Sequence, residues 1–331
     1  MPYPEQTLTD RLLDYDEVVF SREVPDTPYW FEIVETVSGL AVDSRFELFC
    51  DSATRRKLLM KPESILVLAR KNGDEKWDRI TYADREYQEF IRAIVLMADD
   101  WAHSPGNKER LHFFARYLAS DHPQIHQQAY LEIGRAPYAM IKWVAQDVPV
   151  EKIYMLLGNY RFIDWHNLYI LMLGQSRDPG DRGYIAEKVR NTARVRSTIN
   201  LAAWLTAFME SHPENGVDEV AQLYFANRHR TREELEQVMA SMSVLGSQQG
   251  IASMEVFKLR YKIIKSFGLL LENYPAMAGE VAKNLAMWQV QAHVDRLSTL
   301  KGNEAILDDS AMYLVNYYLS LAPRFRLMQT P

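Results

Sequence analysis

The chain has 331 residues, of which 47% are hydrophobic and 25% charged, as is typical of globular proteins that bury a sizeable core. Its net charge of −6 argues against general binding to nucleic acids or anionic membranes, because both favour an excess of Lys and Arg. The single cysteine, Cys50, rules out a disulfide framework and a cysteine-based metal site.

The ends of the chain and its hydropathy bear on localisation. No apolar run reaches the roughly 18 residues that a membrane span needs. The segment Met1–Gln6 has neither a basic region nor an apolar run, so it is not a signal peptide. Two alternatives stay open: a cytoplasmic protein, or an exported one (periplasm or cell surface) whose signal peptide has been removed.

Short segments rich in Val, Ile and Phe predict a small β-rich domain over residues 1–83. Polar and apolar residues alternate in parts of each segment, as a half-buried sheet requires. We therefore expect a small antiparallel barrel or sandwich, with a short helix near Ala53–Leu59. The predicted strands are Glu17–Val24, Tyr29–Val37, Arg45–Cys50, Ile65–Ala69 and Lys76–Tyr82.

Residues 84–107 are predicted to form a connecting helix and a linker. Asp84 is a suitable N-cap for a helix that continues to Trp101. The segment Ser104–Asn107 then breaks the chain. A helical domain is predicted to follow over residues 108–331, so that the whole fold is α+β and mostly α.

Apolar residues at helical spacing begin that domain. Leu111, Phe114, Ala115 and Leu118 lie on one face of a helix, and Asp121-His122-Pro123 forms the next turn. Thr231 and Glu234 have the spacing of a capping box. Beyond Pro179 we expect helices at Arg182–Val195, Thr198–Ser211, Val217–Ala226, Arg232–Leu245, Met254–Tyr274, Ala276–Ser298 and Asp309–Leu321.

Glycines recur near helix ends at related intervals. Gly134 and Gly174 are 40 residues apart, and Gly174 and Gly246 are 72 apart. Paired helices with a period near 40 are typical of HEAT or armadillo solenoids. The chain resembles HEAT-like proteins at LASDHPQIHQQAYLEIGRAP and LGQSRDPGDRGYIAEKV, a resemblance that implies a solenoid of helical pairs and no particular activity.

Two narrower resemblances concern the order of the domains and the first domain. The sequences AYLE and RAPY, together with that order, resemble an uncharacterised bacterial family in which a small β-rich domain precedes a HEAT-like array. Its members tend to be exported, and no activity is implied. The fragments EIVETVSG and ILVLARKNG are similar to OB-like or netrin-like barrels, although their cysteines are missing here.

Histidines are the first candidate site residues. His122 and His126 are four residues apart beside Asp121, a spacing that lets two imidazoles share a metal on a helix. A third ligand is not evident nearby, and a simple inter-helix turn with a solvated histidine explains the pattern better. We therefore assign no metal and no cofactor.

Partner binding is the second possibility. Arg190, Arg194 and Arg196 form a basic cluster with Arg182 and Lys188, and arginines suit carboxylate or phosphate recognition. The alternative is a solvated helix face. An aromatic segment contains Trp165 and Tyr169, which form either a peptide-binding surface or part of the core. Its other members are Trp143, Tyr160 and Phe162.

No catalytic motif is present: there is no P-loop, G-x-S-x-G, G-x-G-x-x-G, H-E-x-x-H or EF-hand loop. We favour a non-catalytic interaction or scaffold protein whose helical array binds a protein or peptide, which would be acidic if the arginines contact it. Trp165 and Tyr169 are the other predicted partner contacts. The alternative is a hydrolase or metal-dependent enzyme at the domain junction, with His103, His112, His122 or His126 taking part.

Overall fold

The computed structural model describes residues 6–40, 45–61, 64–97, 100–101, 107–247 and 254–328. The predicted fold class is confirmed: the protein is α+β and mostly helical, with an antiparallel sheet before most of the helices. The chain forms two compact units that divide between Met140 and Ile141. The first unit thus extends beyond the predicted β-rich segment 1–83 and includes several of the helices that follow it.

The sheet has five antiparallel strands in the order β3-β2-β1-β4-β5. All five predicted strands are present, with their ends shifted by a few residues. No pairing joins β3 to β5 within the described residues, so the sheet is open and does not close into a barrel, which was one of the two predicted forms, barrel or sandwich. The strands are β1 Glu17–Glu23, β2 Trp30–Ser38, β3 Arg45–Glu47, β4 Ile65–Arg70 and β5 Asp78–Ala83.

Both faces of the central strands β1 and β4 are buried. On one face, Val19, Leu66 and Leu68 form a core with Leu58, which belongs to helix α2 (Ser52–Met60). On the other face, the ring of Phe20 lies 5.0 Å from the guanidinium of Arg92 on helix α3 (Arg85–Leu96). Burial on both faces explains why EVVF and ILVLA are continuous apolar runs and do not alternate.

Four helices of the first unit begin at a polar cap. The Asp84 side chain accepts a hydrogen bond from the Tyr87 backbone nitrogen, as the sequence predicted, and Asn107 caps Arg110 in the same way. Thr7 and Asp10 form a capping box. The helices of this unit, besides α2, are α1 Leu8–Leu13, α3 Arg85–Leu96, α4 Lys108–Ala115 and α5 Pro123–Gly134.

A buried arginine connects three of these helices. The Arg110 side chain on α4 is 0% exposed, and its Nη2 lies 2.6 Å from an oxygen of Asp10 on α1 and 2.7 Å from one of Glu132 on α5. Arg135, which follows α5, also pairs with Asp10. Two guanidinium groups therefore neutralise two carboxylates, and removal of one partner would leave a buried charge uncompensated.

The same network determines the protonation of Asp10. Burial alone would raise the pKa of Asp10, but hydrogen bonds from Arg135 and Arg110 lower it to about 2. The folded-state pKa is thus below the unfolded value of 3.8. The stability that Asp10 contributes is present above the unfolded pKa and is lost as the pH falls through the folded pKa.

The second unit contains only helices within the described residues, and most of them pack against helices nearby in the chain. Helix α6 (Tyr138–Val144) contains the division between the units. A π-helical turn, Ala221–Phe225, follows α11. The other helices are α7 Val150–Leu157, α8 His166–Leu173, α9 Pro179–Val195, α10 Leu201–Ser211, α11 Gly216–Val220, α12 Arg232–Gly246, α13 Met254–Asn273, α14 Ala278–Met287, α15 Val294–Leu300 and α16 Asp309–Met328.

Two predicted helices differ from the structure. The helix predicted to continue from Asp84 to Trp101 ends at Leu96, and a second predicted helix is divided in two. The segment Ala276–Ser298 is not continuous but forms α14 and α15, because Gln289 and His293 adopt left-handed conformations with φ of 56° and 53°. The Tyr318 hydroxyl on α16 holds the intervening loop, accepting from the Ala292 backbone nitrogen at 2.9 Å. A tertiary contact thus overrides the local helical pattern.

Small residues allow close helix crossings in this unit. A Cβ built on Gly174, which follows the last residue of α8, would lie 2.8 Å from the Cα of Ala207 on α10. A Cβ on Gly279 of α14 would lie 2.8 Å from the Cα of Ala311 on α16. In both cases the added Cβ would collide with backbone atoms of the facing helix, and these atoms move less easily than a flexible side chain.

We predict that Arg110→Met destabilises the protein by about 3–5 kcal/mol, because Glu132 and Asp10 would lose their buried partner. Urea denaturation measures the free energy of unfolding. The control is Arg232→Met, which breaks exposed pairs with Glu236 and Asp308 and is expected to cost less than about 1 kcal/mol. A loss for Arg110→Met no larger than for the control would contradict the role assigned to the network.

We predict opposite effects for alanine at two helical glycines. Gly279→Ala should destabilise the protein by about 1–3 kcal/mol, because the added methyl group collides with α16. A Cβ on Gly183 of α9 has nothing within 4 Å, so Gly183→Ala should stabilise by about 0.5–1 kcal/mol through helix propensity. Thermal denaturation of both variants tests the pair, and a stabilising Gly279→Ala would refute the close crossing.

Candidate functional site

The predicted histidine pair, His122 and His126, does not form a shared site. His122 is the N-cap of α5: its Nδ1 accepts from the Ile125 backbone nitrogen at 3.4 Å. Its Nε2 lies 3.0 and 3.1 Å from the two carboxylate oxygens of Asp84, so the proton resides on Nε2 and is donated to Asp84. Both ring nitrogens are therefore engaged, and neither is placed to act as a metal ligand or a general base.

Asp84 connects the beginnings of two helices. It caps α3 and accepts from the cap of α5, and the Tyr87 ring stacks on His122 with ring centres 5.6 Å apart. Burial would raise the pKa of Asp84, but the hydrogen bonds from His122 and from the Tyr87 nitrogen lower it below its usual value. These contacts give His122 a structural role.

The other candidate histidines are placed apart from this contact. His126 is 3% exposed on α5, and burial lowers its pKa, which favours the neutral imidazole. His112 is exposed on α4, and His103 lies outside the described residues. In the described ranges, no group of three or more His, Cys, Asp or Glu residues could hold a metal ion.

The predicted arginine cluster is engaged with its own protein. Arg190 on α9 forms a two-point pair with Glu219 on α11, with distances of 2.7 and 3.2 Å. Arg194 donates to Asn191 at 2.7 Å. Arg190 and Arg194 line a shallow depression of 300 Å³. The Arg190 side chain is 60% exposed, so the pair with Glu219 is a weak surface interaction.

Arg196 has a structural role. It ends α9 in the left-handed conformation, and its Nη2 donates to the His229 carbonyl at 2.6 Å and to Glu234 at 3.2 Å. Glu234 is 1% exposed and also accepts from Arg230 at 2.8 Å, and with Thr231 it forms the predicted capping box. Arg196 therefore stabilises the beginning of α12.

The predicted aromatic surface is divided between core and exterior. Tyr169 is 0% exposed on α8, and burial raises its pKa, so it is a core residue and not a partner contact. Trp165 is half-buried, and its ring lies 5.4 Å from that of Phe162. Tyr160 is 81% exposed, whereas Trp143 is 39% exposed. The large buried residues serve packing, as the alternative interpretation stated.

The sequence interpretation missed an exposed aromatic and basic face on α13. Phe257 and Tyr261, one turn apart, are 58% and 70% exposed. Lys258 and Lys265 lie on the same face, are exposed and form no ion pair with a described residue. We name these four residues the α13 face. The signal was available in the sequence FKLRYKIIK, in which basic residues alternate with apolar ones.

Arg260 borders the α13 face. It is half-buried, and its Nε atom is buried without a hydrogen-bond partner in the described part of the chain. Burial lowers the pKa of Arg260, and no acidic group opposes this effect. Lys262, in contrast, lies 3.8 Å from Asp218 and donates to the Glu214 carbonyl. Positive charge on this part of α13 is therefore only partly neutralised.

We predict that Asp84→Ala destabilises the protein by about 1–2 kcal/mol, because α3 loses its cap and His122 loses its acceptor. Asp84→Asn should cost clearly less, since asparagine caps helices about as well as aspartate. Chemical denaturation of the two variants gives the comparison. Equal losses for both would mean that the charge of Asp84, and not its capping bond, carries the effect.

None of the helices in the described ranges is long and apolar enough to span a bilayer. Comparison with protein-family models, curated proteins and solved structures finds no match for this chain. The resemblances to HEAT-like proteins and to a bacterial two-domain family therefore stay predictions. The function is inferred from the chain's own side chains, among which the α13 face combines exposure, aromatic area and unneutralised charge.

Proposed function

We propose that this protein is a non-catalytic binding or scaffold protein whose second unit binds an acidic segment of a protein partner through the α13 face. The observation that carries the proposal is the presence of Phe257 and Tyr261, both more than half exposed, on the same face as two lysines that form no ion pair with a described residue. Aromatic residues supply contact area at interfaces, and clustered charge selects a partner of the opposite sign.

The exposure of apolar side chains favours a partner-binding surface over a helix face that contacts only water. Phe257 is a large apolar side chain held in water, and its neighbour Tyr261 is more exposed still. A partner that covers both rings would remove apolar area from water, which favours association. Lys258 and Lys265 would meet carboxylates at the edge of that contact, where solvent remains.

Arg260 supports an anionic partner in particular. A half-buried guanidinium that has no acidic neighbour among the described residues has lost water there without gaining a counter-charge. A carboxylate brought by a partner would supply it, and the planar guanidinium can donate two parallel hydrogen bonds to one carboxylate. The arginines of α9 lack this property, because Arg190 and Arg196 already pair with Glu219 and Glu234.

The proposal also includes a HEAT-like arrangement of helical pairs in the second unit. Contacts between elements close in the chain support it: α9 packs on α10, α10 on α12, and α14 on α16. In such arrays each pair contacts mainly its neighbours, and the outer helices offer extended binding surfaces. The close crossings at Gly174 and Gly279 are consistent with tightly packed pairs.

We predict that Lys258→Glu with Lys265→Glu weakens binding of an acidic peptide by about tenfold or more, because attraction becomes repulsion. The probe is a labelled synthetic peptide rich in Glu, Asp, Leu and Phe, and its affinity is measured by fluorescence anisotropy. The control peptide carries Lys in place of each acidic residue and should bind weakly.

The matched control protein is the double variant Arg190→Glu with Arg194→Glu, which makes the same charge change on α9. Its affinity for the acidic peptide should stay within about twofold of the wild type, because those residues lie outside the proposed contact. The reverse pattern would move the site to α9, where the sequence placed it. Tighter binding of a single-stranded oligonucleotide than of the peptide would refute a protein partner.

A further inference from the structure

A depression in the first unit has the size of a small-molecule site. Its volume is 390 Å³, within the range of about 300–1,000 Å³ that is usual for ligand pockets. It lies beside the end of α2, the beginning of β4, the end of β5 and the first turn of α5. The lining residues are Lys57, Met60, Lys61, Ser64, Tyr82, Asp84 and Gln124.

Positive charge exceeds negative charge among the described lining residues of this depression. Lys57 and Lys61 form no ion pair with any residue in the described ranges, and the Lys57 ammonium lies 5.2 Å from the centre of the Tyr82 ring. Asp84 is the only acidic side chain in the described lining. Its two oxygens already accept from His122, and one of them also accepts from the Tyr87 nitrogen. The charge of Lys61 lowers the pKa of Asp84 without forming an ion pair with it, so the two ammonium groups leave a net positive charge for a ligand anion.

Ser64 supplies a second, independent observation. The residue is only 9% exposed, and its hydroxyl has no hydrogen-bond partner among the described residues. Its backbone nitrogen is satisfied by the Lys61 carbonyl at 2.9 Å, so only the side chain is unpartnered. A hydroxyl that reaches a pocket wall can donate to a ligand oxygen.

The remaining walls are suited to an apolar group. The Met60 side chain is apolar and 76% exposed. The Tyr82 ring forms a cation–π contact with the Lys57 ammonium group. Aromatic and methionine side chains provide adaptable apolar contacts in small-molecule sites. The depression thus has a charged part and an apolar part next to each other.

We propose that this depression binds a small anion with an apolar body. The anionic head group lies between Lys57 and Lys61 and accepts from the Ser64 hydroxyl, while the apolar body contacts Met60 and the Tyr82 ring. A carboxylate and a phosphate monoester share this chemistry. The site belongs to the first unit and is independent of the proposed α13 face, so either assignment can fail while the other holds.

The test uses three probes with the full chain: phenylacetate, phenyl phosphate and the neutral 2-phenylethanol. Binding is followed by two-dimensional NMR titration, which also shows which backbone amides respond. We expect saturable binding of at least one anion, shifts centred on Ser64, Tyr82 and Gln124, and much weaker binding of the alcohol. The tighter of the two anions identifies the head group.

The variant Lys57→Gln with Lys61→Gln should weaken anion binding about tenfold or more. The matched control, Lys71→Gln with Lys76→Gln, makes the same charge change in the turn at the opposite end of β4 and should leave it unchanged. Ser64→Ala should weaken it less than the lysine pair. Equal binding of the alcohol, loss in the control variant alone, or no saturable binding of either anion would overturn the proposal.

Discussion

The buried Arg110 guanidinium is the contact on which the arrangement of the first unit depends. It has no exposed surface, yet it carries a full charge, which is tolerable only with Asp10 and Glu132 in place. Those partners lie on α1 and α5, so one side chain fixes three helices relative to each other. Asp10 belongs to the predicted β-rich segment 1–83, whereas Glu132 belongs to the predicted helical domain that begins at residue 108. The first unit therefore includes residues from both predicted domains.

Local signals predicted much of the fold. Asp84 and the Thr231–Glu234 box begin helices as expected, because a capping side chain bonds to backbone within its own turn. Nothing local marks the break between α14 and α15. Gln289 and His293 take left-handed conformations that glycine would normally occupy, and the cause is Tyr318, distant in sequence. The sequence therefore predicted a single helix there.

The candidate site was harder to predict for a related reason. A run of basic residues looks the same in sequence whether its partners are present or absent. Arg190 and Arg196 find Glu219 and Glu234, which lie tens of residues further along the chain, whereas Lys258 and Lys265 find no acidic residue in the described structure. The sequence also does not reveal whether an aromatic residue such as Tyr169 is buried. Its burial depends on the positions of neighbouring helices, which residue spacing alone does not determine.

The contrast between Glu234 and Arg260 connects charge, burial and binding. Burial would raise the pKa of Glu234, but Thr231, Arg230 and Arg196 supply enough hydrogen bonds to lower it, so this carboxylate is stable inside the protein. Arg260 loses water with no such compensation from the described residues. Among the described residues, Glu234 thus has its counter-charges and Arg260 has none, and Arg260 borders two exposed aromatic rings. The acidic partner that we propose would supply the missing charge at this place.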